Sequence, residues 1–484
     1  MKIWKTGLGT RALAAFVALL VGMFGFVGMA TAAPDYGNID TGAQGSITIH
    51  KHEHQPAPAD QSPEGTSAPL ENPVEGVEFT VYPLLQNGSP VNLGDPDAWD
   101  GLDGLTPGEN CTAPTGYTLG AAETGTTAAD GTLTFSKPVG VYLVCETDAP
   151  STVVDRAAPF IVTIPFPHNN GWLYDVHVYP KNAVSSIEKS VQTQTALGLG
   201  ANLQFPVTTR VPQIGPNDNL SSYVIADTLD TRLTPNGVDS VTVNGTAVDA
   251  SYYNVTTTGQ TITVTFTAAG LTWLESQEGA SVVTVFQGTV NAVGDGAIEN
   301  VATVTIDGNT IESDPVQTNW GDVLIQKNND ATPATGLQGA IFEVYAAEAP
   351  YATTCDDAVA TGNAIEVGGQ TQFTSDSSGR INIAGLFVSD SVNEAVDATQ
   401  RCYVLREVQA PAGYVTPADA DTPVTVVPGV SATVDQTITN TQQSVPELPL
   451  TGSAGALIMT IAGLGLVVVA GTLMIISRRR AAQN

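Results

Sequence analysis

The feature that most limits the possible folds is a series of short runs rich in Val, Ile, Thr and Tyr, each bounded by Gly, Asn, Asp or Pro. Such runs are typical of strands, and the residues that bound them are typical of turns. No long helical pattern occurs between the two ends of the chain, although the Ala-rich residues 349–361 predict a short helix. The sequence therefore predicts an all-β protein made of sandwiches. Examples of the runs are Ser46–His50, Phe79–Tyr82, Thr261–Phe266, Ser281–Phe286, Ala302–Ile306 and Val424–Val427.

An internal repeat indicates how the sandwiches follow one another. Gly76–Tyr82 (GVEFTVY) matches Gly339–Tyr345 (GAIFEVY), and Tyr142–Glu146 matches Tyr403–Glu407, with an Ala-Pro pair three residues later in each copy. Matched segments near the two ends of the chain predict homologous first and third domains, with a different domain between them. We place the three domains at residues 33–181, 182–320 and 321–443.

The N-terminus is typical of a secretory signal peptide. Basic residues from Lys2 to Arg11 precede an apolar run to Met29, and Ala30-Thr31-Ala32 forms a small-x-small cleavage site. We assign residues 1–32 to this signal, which export removes. The following roughly 420 residues are enough for about three domains of ordinary size.

Residues 444–484 predict a membrane anchor at the other end. They contain LPLTG at Leu448–Gly452, a charge-free and largely apolar run of 23 residues from Ala454 to Ile476, and then Arg478-Arg479-Arg480. A run of this length can span a bilayer as a transmembrane helix. The arginines predict that its C-terminal end lies in the cytoplasm.

The segment between these two ends is strongly acidic. Residues 33–451 contain 11 Lys and Arg against 48 Asp and Glu, which gives a formal charge of −37. Nucleic acids and anionic membrane surfaces repel such a protein, so we expect neither as a partner. The acidity suits an extracellular protein.

Cysteine usage agrees with export. An even number of cysteines in an exported chain predicts disulfides within domains, and pairing by proximity predicts Cys111–Cys145 and Cys355–Cys402. No C-x-x-C pair or nearby His completes a set of metal ligands, so we expect no metal and no cofactor.

Lysines are the most informative side chains, because residues 33–451 contain only five. Lys51, Lys189 and Lys327 each extend the apolar face of the first predicted strand of a domain. A buried ammonium group is costly unless it is neutralised or paired. Snorkelling at a strand end would explain any single case, but one case in every domain indicates a shared chemical role.

Each domain also offers an acid and an asparagine of suitable strand parity. Burial lowers the pKa of a lysine and raises that of a carboxyl group, so a neutral amine can attack an amide carbon while the acid polarises the carbonyl. Ammonia leaves, and a Lys–Asn isopeptide bond remains. The predicted sets are Lys51, Glu146 and Asn182; Lys189, Asp227 and Asn300; and Lys327, Glu407 and Asn440. Asn319 is an alternative to Asn300, although parity favours Asn300.

Lys181 follows a different pattern. In the segment Trp172–Lys181, Val176 and Val178 face one way, whereas Lys181 shares its parity with Asp175 and His177. This parity predicts an exposed lysine at the boundary between the first and middle domains.

Three motifs together resemble those of backbone pilins, the shaft subunits of sortase-assembled pili in Gram-positive bacteria. Residues 172–181 fit the pilin motif W-x3-V-x-V-Y-P-K, and residues 403–414 fit the E-box around Glu407, with Val408 where Thr is usual. Leu448, Pro449, Leu450, Thr451 and Gly452 fit the cell-wall sorting signal LPxTG. The resemblance covers essentially the whole chain.

The resemblance implies covalent head-to-tail polymerisation of identical subunits. A pilin-specific sortase would capture Thr451 of one subunit as a thioester, which Lys181 of the next subunit would resolve. A housekeeping sortase would join the finished fibre to peptidoglycan on the cell surface. The family also implies immunoglobulin-like sandwiches, with CnaB-like first and third domains and internal isopeptide bonds. The host ligand and the minor pilins stay open.

Two other functions compete with this interpretation. A monomeric wall-anchored or tip adhesin would share the termini and sandwiches, but it would not need Lys181 in its motif. The second competing function is that of an enzyme. His50, His52 and His54 alternate along a strand and could line a metal site, but a solvated outer face explains this pattern better. The sequence contains no Gly-rich phosphate loop, and no Ser or Cys nucleophile has a histidine to act as its base.

Overall fold

The protein is described by a computed structural model covering residues 39–55, 60–67, 70–108, 110–215, 218–443 and 453–481. The signal peptide predicted at 1–32 and the sorting motif at 448–452 lie outside the described residues. The described chain is mostly β, as predicted. It divides into two compact units, one from the described residues up to 192 with those of 204–288 and 300–316, and the other from residues 193–203 and 289–299 with the described residues from 317 onwards.

The N-terminal part of the first unit is a two-sheet sandwich with short 3-10 turns at Pro96–Trp99 and Leu102–Gly104. Its strands are β1 (Gln44–His50), β2 (His52–Glu53), β3 (Glu78–Gln86), β4 (Ser89–Pro90), β5 (Thr118–Leu119), β6 (Glu123–Thr126), β7 (Thr132–Pro138), β8 (Gly140–Asp148), β9 (Val153–Asp155), β10 (Phe160–Ile164), β11 (Phe166–His168), β12 (Gly171–Leu173), β13 (Asp175–Val178) and β14 (Lys181–Val184). One sheet has the order β13-β1-β7, and another has β10-β8-β3-β4. Ile47 and Ile49 of β1 share an apolar core with Phe79, Val81 and Val144 of the second sheet.

The rest of the first unit extends this all-β architecture. Its elements are β15 (Ile187–Lys189), β16 (Asn202–Arg210), β17 (Tyr223–Thr228), β18 (Leu233–Val243), β19 (Thr246–Ala247), β20 (Tyr253–Thr258), β21 (Thr261–Phe266), α1 (Ala268–Glu275), β22 (Ser281–Val290), β23 (Ala297–Ile306) and β24 (Asn309–Glu312). One sheet has the order β15-β16-β22-β18-β19, and β20-β21-β17-β23 are neighbours in another. Alternate residues of β22 are buried, as expected for a strand with one face in a core.

The second unit contains a second sandwich. Its elements are β25 (Val316–Asn329), β26 (Ile341–Ala347), β27 (Ala360–Thr361), β28 (Phe373–Thr374), β29 (Arg380–Asp390), β30 (Arg401–Gln409), β31 (Asp421–Val426), β32 (Gln436–Asn440) and the C-terminal helix α2 (Ser453–Ala481). β25 pairs with β29 and β32 in one sheet, while β27-β26-β30-β31 form the other. Val323 and Ile325 of the first sheet and Phe342, Val344 and Leu405 of the second share one apolar core.

The sequence repeat has a structural counterpart. β3 pairs with β8 and β26 pairs with β30, both antiparallel, and each pair has a register shift directly before its phenylalanine. As a result, Phe79 faces Glu146 across the first pair, and Phe342 faces Glu407 across the second. The equivalent strand pair therefore brings an aromatic ring and a carboxyl group together in both copies of the repeat.

The expected helix at residues 349–361 is wrong. This segment forms turns and strand β27, because it is tied to β30: Cys402 N–H donates to the Pro350 carbonyl, and Cys355 is bonded to Cys402. The short helix lies instead at α1, where the Thr267 hydroxyl accepts a hydrogen bond from Gly270 N–H as an N-cap. Within the described residues, α2 contains a stretch, Met459–Arg479, that is long and apolar enough to cross a membrane.

The disulfides Cys111–Cys145 and Cys355–Cys402 are present, which confirms the pairing predicted from proximity. Cys402 is fully buried on β30, and the Cys355–Cys402 bond closes a loop across 47 residues. By the chain-entropy argument, such a loop restricts the unfolded state by roughly 3–4 kcal/mol.

We therefore expect the double variant Cys355→Ala/Cys402→Ala to lower the free energy of unfolding by about 3 kcal/mol. The measurement is a urea titration of the soluble chain, and Cys111→Ala/Cys145→Ala serves as the matched variant in the first unit. An unchanged urea midpoint for Cys355→Ala/Cys402→Ala would contradict the structural role of this bond.

Candidate functional site: buried lysine trios and the Lys181 motif

The second unit brings together the predicted set Lys327, Glu407 and Asn440. Lys327 Nζ lies 2.9 Å from Glu407 Oε2 and also donates to Asn440 Oδ1, while Asn440 Nδ2 donates to Glu407 Oε1 at 2.7 Å. All three residues are buried. Their meeting follows from topology, because β25, which carries Lys327, runs parallel to β32, which carries Asn440.

In the set Lys51, Glu146 and Asn182 of the first unit, the amine and the amide both contact the carboxyl group. Lys51 Nζ lies 2.9 Å from Glu146 Oε2, and Asn182 Nδ2 donates to Glu146 Oε1 at 2.9 Å. The lysine directly follows β1, and the asparagine lies on β14, which runs parallel to β2. Asn182 Oδ1 has no hydrogen-bond partner among the described residues.

The third set uses an aspartate. Lys189 Nζ donates to Asp227 Oδ2, and Asn300 Nδ2 donates to the same oxygen at 3.3 Å. Strand β17 places Asp227 beside β23, where Asn300 lies. The alternative, Asn319, is also buried, but in the second unit it donates to Ser389 Oγ and accepts from Gln317. The contacts therefore link Lys189 to Asn300 through a shared carboxyl group.

An aromatic ring completes each set. The lysine Nζ lies 5.6 Å from the centroid of Phe79 in the first set, 5.0 Å from Phe205 in the middle set and 5.6 Å from Phe342 in the last. The rings cover the amines with apolar surface, so the low-dielectric surroundings disfavour the charged form.

Burial shifts the pKa values of the buried lysines and of Asp227 in the direction that attack of an amine on an amide needs. It lowers the pKa of Lys51 to about 8, although Glu146 opposes the shift. Burial also lowers the pKa values of Lys189 and Lys327 and raises the pKa of Asp227. In the Lys189–Asp227 pair, both shifts favour the neutral forms, because burial disfavours each charge. Such a pair can attack an amide and donate a proton to it.

Lys181 is not exposed, so the prediction from strand parity is wrong. Strand β13 ends at Val178, Tyr179 and Pro180 interrupt the alternation, and β14 begins anew at Lys181. Lys181 is partly buried, and its Nζ has no hydrogen-bond partner within the described part of the chain. Burial, with a smaller effect from the charge of Lys51, lowers the pKa of Lys181 to about 8.

The histidines do not form a solvated outer face either. His52 is buried and His50 and His54 are partly buried, because the strand is interrupted at Lys51 between β1 and β2, where Lys51 and His52 are both buried. His50 contacts His177, which occupies an unspecified position (x) of the pilin motif W-x3-V-x-V-Y-P-K. Among the described residues, no group of three or more His, Cys, Asp and Glu could hold a metal ion.

The fifth lysine has a different environment. Lys137 is buried between the rings of Phe135 and Tyr142, but its Nζ pairs at 2.6 Å with Glu123, whose side chain is half exposed. Thr451, the predicted partner of Lys181, lies outside the described residues together with the rest of the sorting motif.

Three family models match the chain. Residues 42–183 match the N-terminal domain D1 of Gram-positive pilin subunits, residues 181–319 match the Sgo0707 N2 domain, and residues 440–482 match the LPXTG cell wall anchor motif.

Relatives match over nearly the whole length. The chain is 39% identical to the fimbrial subunit type 2 of Actinomyces naeslundii, over 99% of this chain and 98% of that protein. It is 29% identical to the fimbrial subunit type 1 of Actinomyces viscosus, over 93% of each chain. The solved full-length major pilin SpaD of Corynebacterium diphtheriae superposes with a TM-score of 0.69 at 26% identity, over 84% of this chain and 99% of that one. This chain therefore belongs to the Gram-positive fimbrial subunits, the structural pilins that an LPXTG motif anchors to the cell wall.

Proposed function

We propose that this subunit forms the shaft of a surface pilus and that sortase joins Thr451 of one copy to Lys181 of the next. The observation that carries the proposal is the state of Lys181. Its amine lies in the pilin motif, has no hydrogen-bond partner among the described residues, and has a pKa lowered to about 8 by burial. Near neutral pH, a larger fraction of this amine is therefore uncharged than of an ordinary lysine.

The linkage is a transpeptidation in two steps. A sortase cysteine attacks the Thr451 carbonyl carbon, the bond to Gly452 breaks, and the Gly452 amine leaves with a proton. The neutral Nζ of Lys181 then attacks the thioester, the C–S bond breaks, and the amine proton passes to the leaving thiolate. A pilin-specific sortase would perform this reaction, and a housekeeping sortase would attach the finished fibre to peptidoglycan. A monomeric adhesin would need no acceptor lysine.

We further propose that the three buried sets mature into the isopeptide bonds Lys51–Asn182, Lys189–Asn300 and Lys327–Asn440. In each, the amine attacks the asparagine Cγ, the acid carries the proton to the amide nitrogen, and ammonia leaves. The shared contacts support this reaction, because one carboxyl group touches the amine and the amide in every set. Glu146, Asp227 and Glu407 would each act once on their own chain, so the protein turns over no substrate.

Two of the bonds would lie within the predicted domains 182–320 and 321–443, and Lys51–Asn182 would join the first domain, 33–181, to the residue directly after it. Family matches to residues 42–183 and 181–319 support the first two of these divisions.

Replacing the proposed acceptor tests the polymer directly. We expect Lys181→Arg to abolish the ladder of covalent multimers on denaturing gels, because a guanidinium group keeps its proton and is a poor nucleophile. The matched control is Lys137→Arg, which changes another buried lysine of the same unit and should leave the ladder intact. A normal ladder from Lys181→Arg would refute the proposed linkage.

Replacing the proposed acid tests the internal bonds. We expect Glu407→Gln to prevent the Lys327–Asn440 bond, which peptide mapping would detect as two separate peptides. This bond closes a loop of 113 residues, so its loss should cost up to about 5 kcal/mol and lower the melting temperature of the second unit by roughly 10 °C or more. The exposed Glu348→Gln is the control. A crosslinked peptide recovered from Glu407→Gln would contradict the role of the acid.

A further inference from the structure

Histidines surround the proposed acceptor lysine. β1 runs parallel to β13 with Thr48 opposite His177, and β2 runs parallel to β14 with His52 opposite Lys181. The same strand pairing thus places His50 beside His177 at the end of β1.

His50 and His177 form a ring stack with Tyr179. The centroids of His50 and His177 are 5.1 Å apart, and those of His50 and Tyr179 are 4.7 Å apart with nearly parallel planes. Lys181 Nζ lies over the same Tyr179 ring, 5.9 Å from its centroid. The stack therefore ends at the amine of the proposed acceptor.

A direct hydrogen bond joins the two imidazoles, with His50 Nε2 and His177 Nδ1 2.7 Å apart. Such a bond needs one nitrogen that donates and one that accepts, so at least one of the two rings must be neutral. When both rings are protonated, both nitrogens are donors and two positive charges face each other.

The surroundings reinforce this dependence on charge. The groups that act on His50 are His177 of β13, His52 of β2, Lys181 of β14 and, as the one opposing charge, Asp130 in the turn before β7. Lys181 in turn faces Lys51. His52 Nδ1 is 3.0 Å from the Glu71 carbonyl, and the partly buried His54 is influenced by Asp218 as well as by Lys51 and Lys181.

The sign of the pH effect follows from these contacts. Burial first, and then the charges of His177, His52 and Lys181, lower the pKa of His50 below its ordinary 6.5. A group whose pKa is lowered by folding binds more protons in the unfolded state. The stack is therefore fully stable above about pH 6.5 and loses stability as the pH falls below that value.

The loop at residues 62–65 contacts two rings of the stack. Gly65 lies against the His177 ring, with a positive φ of 70°, and a Cβ there would come within 2.5 Å of Cε1. The Tyr179 hydroxyl donates to the Ser62 carbonyl at 3.2 Å.

We propose that the His50–His177 pair is a positioning element that holds Lys181 ready for linkage near neutral pH and releases it when both imidazoles are protonated. The inference rests on the proposed role of Lys181 as acceptor. It adds a regulation of that site: acid suppresses linkage beyond the loss caused by protonation of the lysine itself.

The test uses soluble chain 33–451, which can accept an acyl group but no longer donates one. A sortase that polymerises the full-length subunit is acylated with an LPLTG peptide, and the acyl group is partitioned between Lys181 and hydroxylamine at a series of pH values. Because both amines compete for the same thioester, titration of the sortase cancels in the ratio. Each variant is normalised to its own ratio at about pH 7.5.

Three variants separate the effect of the His50 ring in the stack from the effect of its protonation. His50→Phe keeps a ring in the stack but cannot be protonated, and we expect its normalised ratio to exceed that of the unmodified chain by at least about fivefold at about pH 5.5. His50→Gln removes the ring and should show the same weak pH dependence as His50→Phe. His168→Gln, outside the stack, should follow the unmodified chain. Identical profiles for His50→Phe and the unmodified chain would overturn the inference.

Two measurements keep the inference and the proposed function distinguishable. Acetylation of Lys181 by an N-hydroxysuccinimide ester, followed by peptide mapping, reports the reactivity of the amine without sortase and should show the same difference between variants. If Lys181→Arg still polymerises, the acceptor role fails, while the acetylation profile still tests the histidines. In the unmodified chain, NMR should show the His50 ring titrating below its ordinary pKa of 6.5, because folding lowers that pKa; titration of His50 at the ordinary value would refute the pair.

Discussion

The contact between a buried lysine amine and a carboxyl group is the interaction on which the rest of this structure depends. An ammonium group enclosed by a phenylalanine ring and a sandwich core is tolerated only if it is paired or loses its charge. In all three sets the carboxyl group pairs with the amine and also holds the asparagine amide. The sequence thus uses a destabilising element, a charge in a core, at the positions where a covalent bond between strands would remove that charge.

The internal repeat places the same backbone arrangement at two of the lysine sites, those of Lys51 and Lys327. In β3–β8 and β26–β30 the register shift before the phenylalanine sets Phe79 opposite Glu146 and Phe342 opposite Glu407. The lysine comes from the opposing sheet in each case, near the end of β1 or on β25. The middle set reaches the same chemistry with an aspartate on β17 and Phe205 on β16, so the requirement is the contact itself rather than one strand order.

Much of this arrangement could be predicted from the sequence, because regular strands preserve parity. Ile47 and Ile49 are buried with Lys51, and Val323 and Ile325 with Lys327, as alternation requires. The prediction from strand parity was wrong for Lys181, where the strand is interrupted. Pro180 has no N–H and separates β13 from β14, so Lys181 does not share the exposure of Asp175. His52 is buried next to Lys51 because the strand is interrupted at Lys51 between β1 and β2, a feature that no local residue pattern indicated.

The intact mass of the soluble chain 33–447 after reduction tests the proposed covalent bonds most directly. Each Lys–Asn bond removes one ammonia from the mass calculated from the sequence. We predict a deficit of three ammonias, with crosslinked peptides at Lys51–Asn182, Lys189–Asn300 and Lys327–Asn440. A mass equal to the calculated value would contradict the account, because the three buried amines would then remain unreacted lysines.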